Sequence, residues 1–226
     1  MAASAIIVAG GSGTRFGTKK QFINLGMVPV LRRTVLCFDS HPLITYIVIV
    51  VPEEDIGHVT NILHGMTTPL SVTAGGSTRQ ESVWNGLQVA TPSDVVLIHD
   101  GVRPLVSQSL ISRVLAGIGD LDACIPGIPV ADTLKESEGS FVERTIPRDN
   151  VYQVQTPQAF RKSSIVEAHA FARSHNIGNL TDDSALIENA GGKVGLVPGD
   201  PFNIKITLKE DIYIAEAILR CRSESD

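Results

Sequence analysis

Five short apolar, β-branched runs recur along this chain, spaced so that one helix fits between each pair. That spacing restricts the fold more than any other feature. The runs are Ala3–Ala9, Tyr46–Val51, Leu70–Ala74, Val95–His99 and Ala123–Val130. Between them lie amphipathic stretches at Pro29–Phe38, Glu53–Leu63, Gln80–Ala90 and Ser107–Ile118. Strands joined through helices cross over and run parallel, and a parallel sheet is buried on both faces. The expected fold is therefore α/β: a Rossmann-like open, mostly parallel twisted sheet with helices on both faces. Further along, the pattern predicts a helix at Ser164–Ala172, opened by a capping box of Ser164 and Glu167. Strands at Lys193–Pro198 and Asn203–Thr207 and a last helix near Lys209–Cys221 complete the reading.

The segment from Lys135 to Val154 breaks the rhythm. It is polar, with Ser137-Glu138-Gly139-Ser140 as a turn between strand-like flanks, and it reads as a β-hairpin arm leaving the sheet. Such an arm has little core of its own, so the expectation is that it packs on a partner chain. A floppy surface hairpin is the plainer alternative. The 226 residues then form one domain, residues 1–226, with an arm at about 135–154.

Composition narrows the functional classes. Hydrophobic residues make up 43% of the chain, enough for a sizeable core, and the net charge of -5 argues against a duplex nucleic-acid binder. Cys37, Cys124 and Cys221 are widely spaced and odd in number, which disfavours a disulfide framework or a zinc knuckle and leaves Cys37 and Cys124 as inert core thiols. The sequence shows no signal peptide and no apolar stretch long enough for a bilayer, so the expected setting is the cytosol.

The motifs sit at the ends of strand-like runs. Ala9-Gly10-Gly11-Ser12-Gly13-Thr14-Arg15 follows the first run, and Lys20 comes soon after. Glycines let several backbone N–H groups face one anion. A dinucleotide fingerprint would need glycine where Phe16 stands, which disfavours a nicotinamide-dependent oxidoreductase, and the G-K-[ST] ending of a P-loop is absent. A glycine loop followed by Arg15 and Lys20 fits a triphosphate. Gly75 and Gly76 follow the third run, with Ser82 opening a helix. The fourth run closes on His99, Asp100, Gly101 and Arg103. Asp100 is placed to orient a hydroxyl or help hold a metal, and Arg103 to meet a phosphate. A structural Asp–Arg pair competes with that reading, and His99 reads as a satisfied buried histidine. Asp182 and Asp183 are candidate metal ligands, but Thr181 capping a helix with acids in its first turn is the favoured reading. Arg15, Lys19, Lys20, Arg79, Arg103, Lys135, Arg148 and Lys205 all fall in these candidate segments of an acidic chain. A pocket that cationic suits two phosphorylated substrates.

These motifs together resemble the 2-C-methyl-D-erythritol 4-phosphate cytidylyltransferases. They run nearly end to end, from AGGSGTRF and KKQF through GGSTRQESV, HDGVRP, DTLK, QTPQAF and TDD to NIKIT. Two positions depart from the family pattern: Gly10 replaces an alanine-like residue, and Lys19 replaces a proline common before the loop lysine. The resemblance implies transfer of CMP from CTP to the polyol phosphate, with Mg²⁺ held mainly by the triphosphate and no protein metal cluster. It implies that Ala9, Gly10, Gly11, Gly13, Gly75, Gly76, Ser82, Asp100 and Gly101 surround CTP. Arg15, Lys20, Arg148 and Lys205 would be the catalytic charges. Asp100, Arg103, Thr133, Arg148, Thr156, Thr181 and Lys205 would bind the second substrate, with Thr133 and Arg148 delivered by the arm of a homodimer. A D-ribitol-5-phosphate cytidylyltransferase and a non-catalytic nucleotide-binding module are the alternatives.

Overall fold

The structure, a computed structural model, describes residues 2–11, 17–91, 93–178 and 180–223. Its strands and helices run in the order β1 (Ala3–Val8), β2 (Asn24–Leu25), β3 (Val28–Pro29), α1 (Val30–Asp39), β4 (Ile44–Val51), α2 (Ile56–Ile62), β5 (Leu70–Ala74), α3 (Arg79–Val89), β6 (Val95–Asp100), α4 (Gln108–Gly117) and β7 (Ala123–Pro129). They continue through β8 (Leu134–Glu138), β9 (Phe141–Ile146), β10 (Tyr152–Val154), β11 (Gln158–Arg161), α5 (Lys162–Ser174), α6 (Ser184–Asn189), β12 (Val194–Pro198) and α7 (Glu210–Ser223).

The main sheet follows the order β10-β7-β11-β6-β1-β4-β5, with β12 on the other edge of β7. Strands β5, β4, β1 and β6 are parallel neighbours, as expected from the crossovers. From β1 the chain winds outward to β4 and β5, then returns to place β6 on the opposite side of β1. Strand order therefore reverses between β1 and β6, and the crevice beyond their carboxyl ends is where such sheets bind ligands.

The period-two pattern sends alternate side chains to two cores. Ile7, Ile47 and Ile49 pack with Leu31, Phe38, Val59 and Leu110 of α1, α2 and α4. Ile6, Val48 and Val50 pack with Val83, Leu87, Ile165 and Leu186 of α3, α5 and α6. Helix α3 approaches the sheet closely because Gly86 has no side chain: a Cβ there would lie 2.7 Å from Ile6 Cγ2 and 2.9 Å from Val50 Cγ2.

The structure adds elements and corrects others. Strands β10 and β11 run antiparallel to β7, and β11 fills the gap between β6 and β7. Strand β11 does not appear in the sequence reading, because QTPQAF is short and contains a proline; β10 falls in the stretch read as the end of the arm, which is the β8–β9 hairpin alone, and it joins the main sheet instead. The expected strand at Asn203–Thr207 is coil and pairs with no strand. Its polar groups are satisfied outside any ladder: Arg103 Nη1 and Gln155 Nε2 both donate to the Asn203 carbonyl, Asn203 Nδ2 donates to the Thr156 carbonyl, and Ile206 donates its N–H to the Val102 carbonyl. The Ser164–Glu167 capping box does not form, since α5 begins at Lys162 directly off β11 and the Ser164 hydroxyl donates to Asp122 instead. Thr181 does not cap α6; Asp182 Oδ1 accepts the Ala185 N–H at 3.2 Å. Helix α3 opens at Arg79 with Thr78 as its cap, so Ser82 lies inside the first turns rather than at the start.

The hairpin β8–β9 forms a separate two-stranded sheet, with Phe141 81% exposed and Val142 62% exposed. Burial pushes the Cys37 and Cys124 thiols up to about 11, which keeps both protonated at neutral pH. Among the described residues, no helix is long and apolar enough to cross a membrane.

Overpacking is expected to outweigh helix propensity at Gly86. Alanine gains about 1 kcal/mol in a helix, whereas forcing a methyl into a filled interface costs about 1–3 kcal/mol. Gly86→Ala is therefore expected to lower the urea unfolding midpoint; a raised midpoint would contradict this packing.

Candidate active site

Each strand of the switch region ends in a residue that faces the crevice. After β1 the chain turns through Ala9, Gly10 and Gly11, and Gln21 holds that turn by donating from Nε2 to the Ala9 carbonyl (3.1 Å) and the Gly11 carbonyl (3.3 Å). After β5 the turn leads into α3, where the Ser82 hydroxyl accepts the Gly76 N–H at 3.1 Å and donates to the Thr78 carbonyl at 2.9 Å. After β6, Gly101 donates its N–H to the Val8 carbonyl, and a Cβ there would meet Ala9 Cβ at 2.8 Å, so the two turns pack against each other.

A cavity of about 270 Å³ opens among these turns, lined by Gly10, Gly11, Lys20, Gly76, Arg79, Asp100 and Lys205 together with their neighbours. A second, of about 480 Å³, adjoins it and is lined by Arg103, Tyr152, Gln155, Thr156, Thr181, Asp182 and Glu188, among others. Arg79, Asp100 and Lys205 line both.

Asp100 is the electrostatic centre. Its carboxylate lies 2.8 Å from Lys205 Nζ, 3.5 Å from Arg103 Nε and 3.6 Å from Arg79 Nη2. Burial alone would raise its pKa, but Lys205, Arg79 and Arg103 outweigh burial and hold the carboxyl well below the usual carboxylate range. It is ionised at any working pH. Arg79 loses solvation on burial, yet Asp183 and Asp100 more than compensate and raise it further.

Hydrogen bonds behind the site fix Asp100 in place. His99 Nε2 lies 3.1 Å from the Arg103 carbonyl and therefore donates to it, so in the neutral ring Nδ1 accepts from Thr156 Oγ1 at 3.1 Å. The same hydroxyl accepts the Asp100 N–H at 3.1 Å. Burial lowers the His99 pKa to about 4, consistent with a neutral ring. His99 is thus the satisfied buried histidine expected from the sequence, and both of its ring nitrogens are occupied.

Among the residues expected to surround CTP, Ala9, Gly10, Gly11, Gly76, Ser82 and Asp100 line the first cavity, as does Lys20. Gly75 and Gly101 stand behind it as close-packed backbone. Gly13 and Arg15 lie outside the described residues. Arg103, Thr156, Thr181 and Lys205 line the second cavity with Asp100. Thr133 and Arg148 line neither: both are exposed at the base of the hairpin, where the Arg148 guanidinium donates to the Ala131 carbonyl. Lys19 turns away from the cavities, to Asp55 at 2.6 Å and Glu54 at 3.2 Å.

Sequence reading missed Gln21, Gln155, Gln158 and the positions of Arg79 and Asp183. The glutamines carried no signal, since an amide next to a motif looks like any polar residue. Asp182 accepts from Gln158 Nε2 and the Ser184 hydroxyl, both at 2.7 Å, and Asp183 pairs with Arg79. Among the described residues no three His, Cys, Asp or Glu side chains group as a metal site.

The chain matches the family model for 2-C-methyl-D-erythritol 4-phosphate cytidylyltransferase over residues 3–221. It belongs to that family. A relative of that name from Geobacillus kaustophilus is 42% identical over 223 residues, covering 96% of this chain and 97% of the relative. The bifunctional enzyme IspD/IspF of Rhodospirillum rubrum is also 42% identical, and this chain spans 58% of its length. Among solved structures, 4-diphosphocytidyl-2C-methyl-D-erythritol synthase from Anaerococcus prevotii superposes with a TM-score of 0.86 at 35% identity, covering 97% of this chain and 96% of that one. Family membership agrees with the mostly parallel sheet and with the cation-lined crevice at its switch point.

The buried neutral His99 has a pH consequence. Its folded pKa of about 4 lies below the ordinary value of 6.5, so the unfolded chain takes up the proton first and acid favours unfolding. Stability is expected to fall as pH drops from 6.5 toward 4, with His99 contributing up to about 1.4 kcal/mol per pH unit. Urea titrations at several pH values should show a shallower slope for His99→Gln; an unchanged slope would contradict the assignment.

Proposed function

We propose that this chain transfers CMP from CTP to 2-C-methyl-D-erythritol 4-phosphate, giving 4-diphosphocytidyl-2-C-methyl-D-erythritol and pyrophosphate, a step of non-mevalonate isoprenoid precursor synthesis. The observation that carries this reading, beside family membership, is the pair of adjoining cavities sharing the charged side chains of Asp100, Lys205 and Arg79 at their boundary. Such a boundary is where the phosphate of one substrate would meet the α-phosphate of the other.

In this reaction an oxygen of the polyol phosphate attacks the α-phosphorus. The bond from that phosphorus to the bridging oxygen of the β-phosphate breaks, and pyrophosphate leaves. A phosphate oxygen is already nucleophilic, so no general base is required, and His99 is fully engaged elsewhere. The obstacle is repulsion between two polyanions, which positioned cations relieve. Gly10 and Gly11 would face the triphosphate with their backbone, and Lys20 would add charge on the pyrophosphate side. Lys205 would stand near the α-phosphate, and Arg103 would help hold the second substrate.

Asp100 is the one carboxylate lining the first cavity among the described residues. That donor set fits an Mg²⁺ ion carried mostly by the nucleotide, with Asp100 supplying one oxygen. When bound, the ion would neutralise triphosphate charge.

The exposed Phe141 and Val142 of the hairpin support a homodimer in which the arm delivers Thr133 and Arg148 to the partner's second cavity. We place the reaction in the cytoplasm, where CTP is available.

Pyrophosphate release with Mg²⁺ and CTP tests the reading. Turnover is expected mainly with 2-C-methyl-D-erythritol 4-phosphate. Turnover mainly with D-ribitol 5-phosphate would move the enzyme to another polyol, and release with neither would contradict catalysis. Lys20→Ala is expected to lower kcat by at least ~10²-fold, the typical loss of one preorganised charge-stabilising group. A folded variant with near-normal kcat would remove Lys20 from the catalytic set.

A further inference from the structure

Arg79 has a placement that local helix stability does not explain. It is the first residue of α3, and a cation on the first turn opposes the helix dipole. Its guanidinium reaches inward instead. Nη2 donates to Asp183 Oδ2 at 2.7 Å and lies 3.6 Å from Asp100 Oδ1. The Asp183 side chain is only 2% exposed, and Arg79 is the cation that pairs with it; burial outweighs that pairing and holds the carboxyl above its ordinary value.

The two ends of this pair belong to different walls. Gly76, Ser77, Thr78, Arg79 and Ser82, at and just before the start of α3, line the first cavity. Thr181, Asp182, Ser184, Ala185 and Glu188, on either side of Asp183, line the second. The wall around Asp183 is itself cross-linked by hydrogen bonds, because Asp182 accepts from Gln158, Ser184 and the Ala185 N–H. Arg79 therefore joins the two walls, 104 residues apart in sequence, and passes beside Asp100 on the way.

We propose that Arg79 is a positioning residue for the transfer: a strut anchored on Asp183 that sets the spacing of the two cavities and steadies Asp100 between them. The proposal rests on the reading that the first cavity takes CTP and the second the phosphorylated polyol. In-line attack tolerates little error in that spacing, since a displacement near 1 Å costs on the order of 10²-fold in rate. Arg79 acts through Asp100 and the 181–188 wall, so its loss should impair the meeting of the substrates more than the binding of CTP alone.

The test uses Asp183→Asn and Arg79→Lys beside the wild-type protein. CTP affinity with Mg²⁺ is measured by calorimetry without the second substrate. Pyrophosphate release is then followed with 2-C-methyl-D-erythritol 4-phosphate varied at saturating CTP, and a thermal melt confirms folding. The expected result is a loss of CTP affinity clearly smaller than the loss in kcat/KM for the polyol phosphate, which falls on the order of 10-fold or more. Should Asp183→Asn not fold, Arg79→Lys carries the test, because it keeps the charge and loses only the planar fork. A folded Arg79→Lys enzyme with wild-type KM and kcat overturns the proposal. So does an equal loss of CTP affinity and polyol kinetics, the signature of general destabilisation. If the wild-type protein itself releases no pyrophosphate, the cytidylyltransferase reading fails first and the strut's role falls with it. Active wild type with unaffected variants refutes the strut alone.

Discussion

The buried Asp100 carboxylate, with Lys205, Arg103 and Arg79 gathered around it, is the interaction on which the rest of the site depends. Three cations brought this close would repel one another without an anion between them. Removing one partner from a buried charge cluster typically costs about 3–5 kcal/mol, so the acid and its cations form a unit. That unit holds positive groups ready at the edge of two cavities before any phosphate arrives. Preorganised charge of this kind needs no rearrangement when negative charge develops on the reacting phosphate.

The fold explains why these groups meet. Asp100 ends β6, the glycine turn ends β1, and strand order reverses between the two. Lys205 arrives on a coil pinned by Gln155, Asn203 and Arg103, and Ile206 donates its N–H to the Val102 carbonyl just beyond β6. Arg79 arrives from the helix after β5. Four separate stretches thus converge because a parallel sheet points all its carboxyl ends one way. Had the Asn203–Thr207 segment paired as a strand, its amides would serve a ladder and Lys205 would be aimed by sheet register instead.

Much of this was legible in the sequence because it rests on local pattern. The β-branched runs foretold β1, β4, β5, β6 and β7, and the glycine and Asp-Gly-x-Arg motifs marked the ends that line the cavities. What escaped was set by long-range contact. Strand β11 owes its place to the gap between β6 and β7, which nothing in QTPQAF announces. Ser164 and Glu167 matched a capping signature, yet β11 runs straight into α5 and the Ser164 hydroxyl turns to Asp122. Asp183 looked like a first-turn acid and is the buried anchor of Arg79. The second cavity was legible as a set of cationic and hydroxyl residues; what was not legible is that Thr156, besides lining it, links His99 to the Asp100 backbone. Thr133 and Arg148 stand at the base of the hairpin and line neither cavity.

The most direct measurement is a crystal structure of the protein with CTP and Mg²⁺. The account predicts the triphosphate along Gly10 and Gly11 within reach of Lys20, and the α-phosphate at the boundary beside Asp100 and Lys205. A nucleotide bound elsewhere, or with its α-phosphate remote from that boundary, would contradict the claim that Asp100 and its cations organise the transfer.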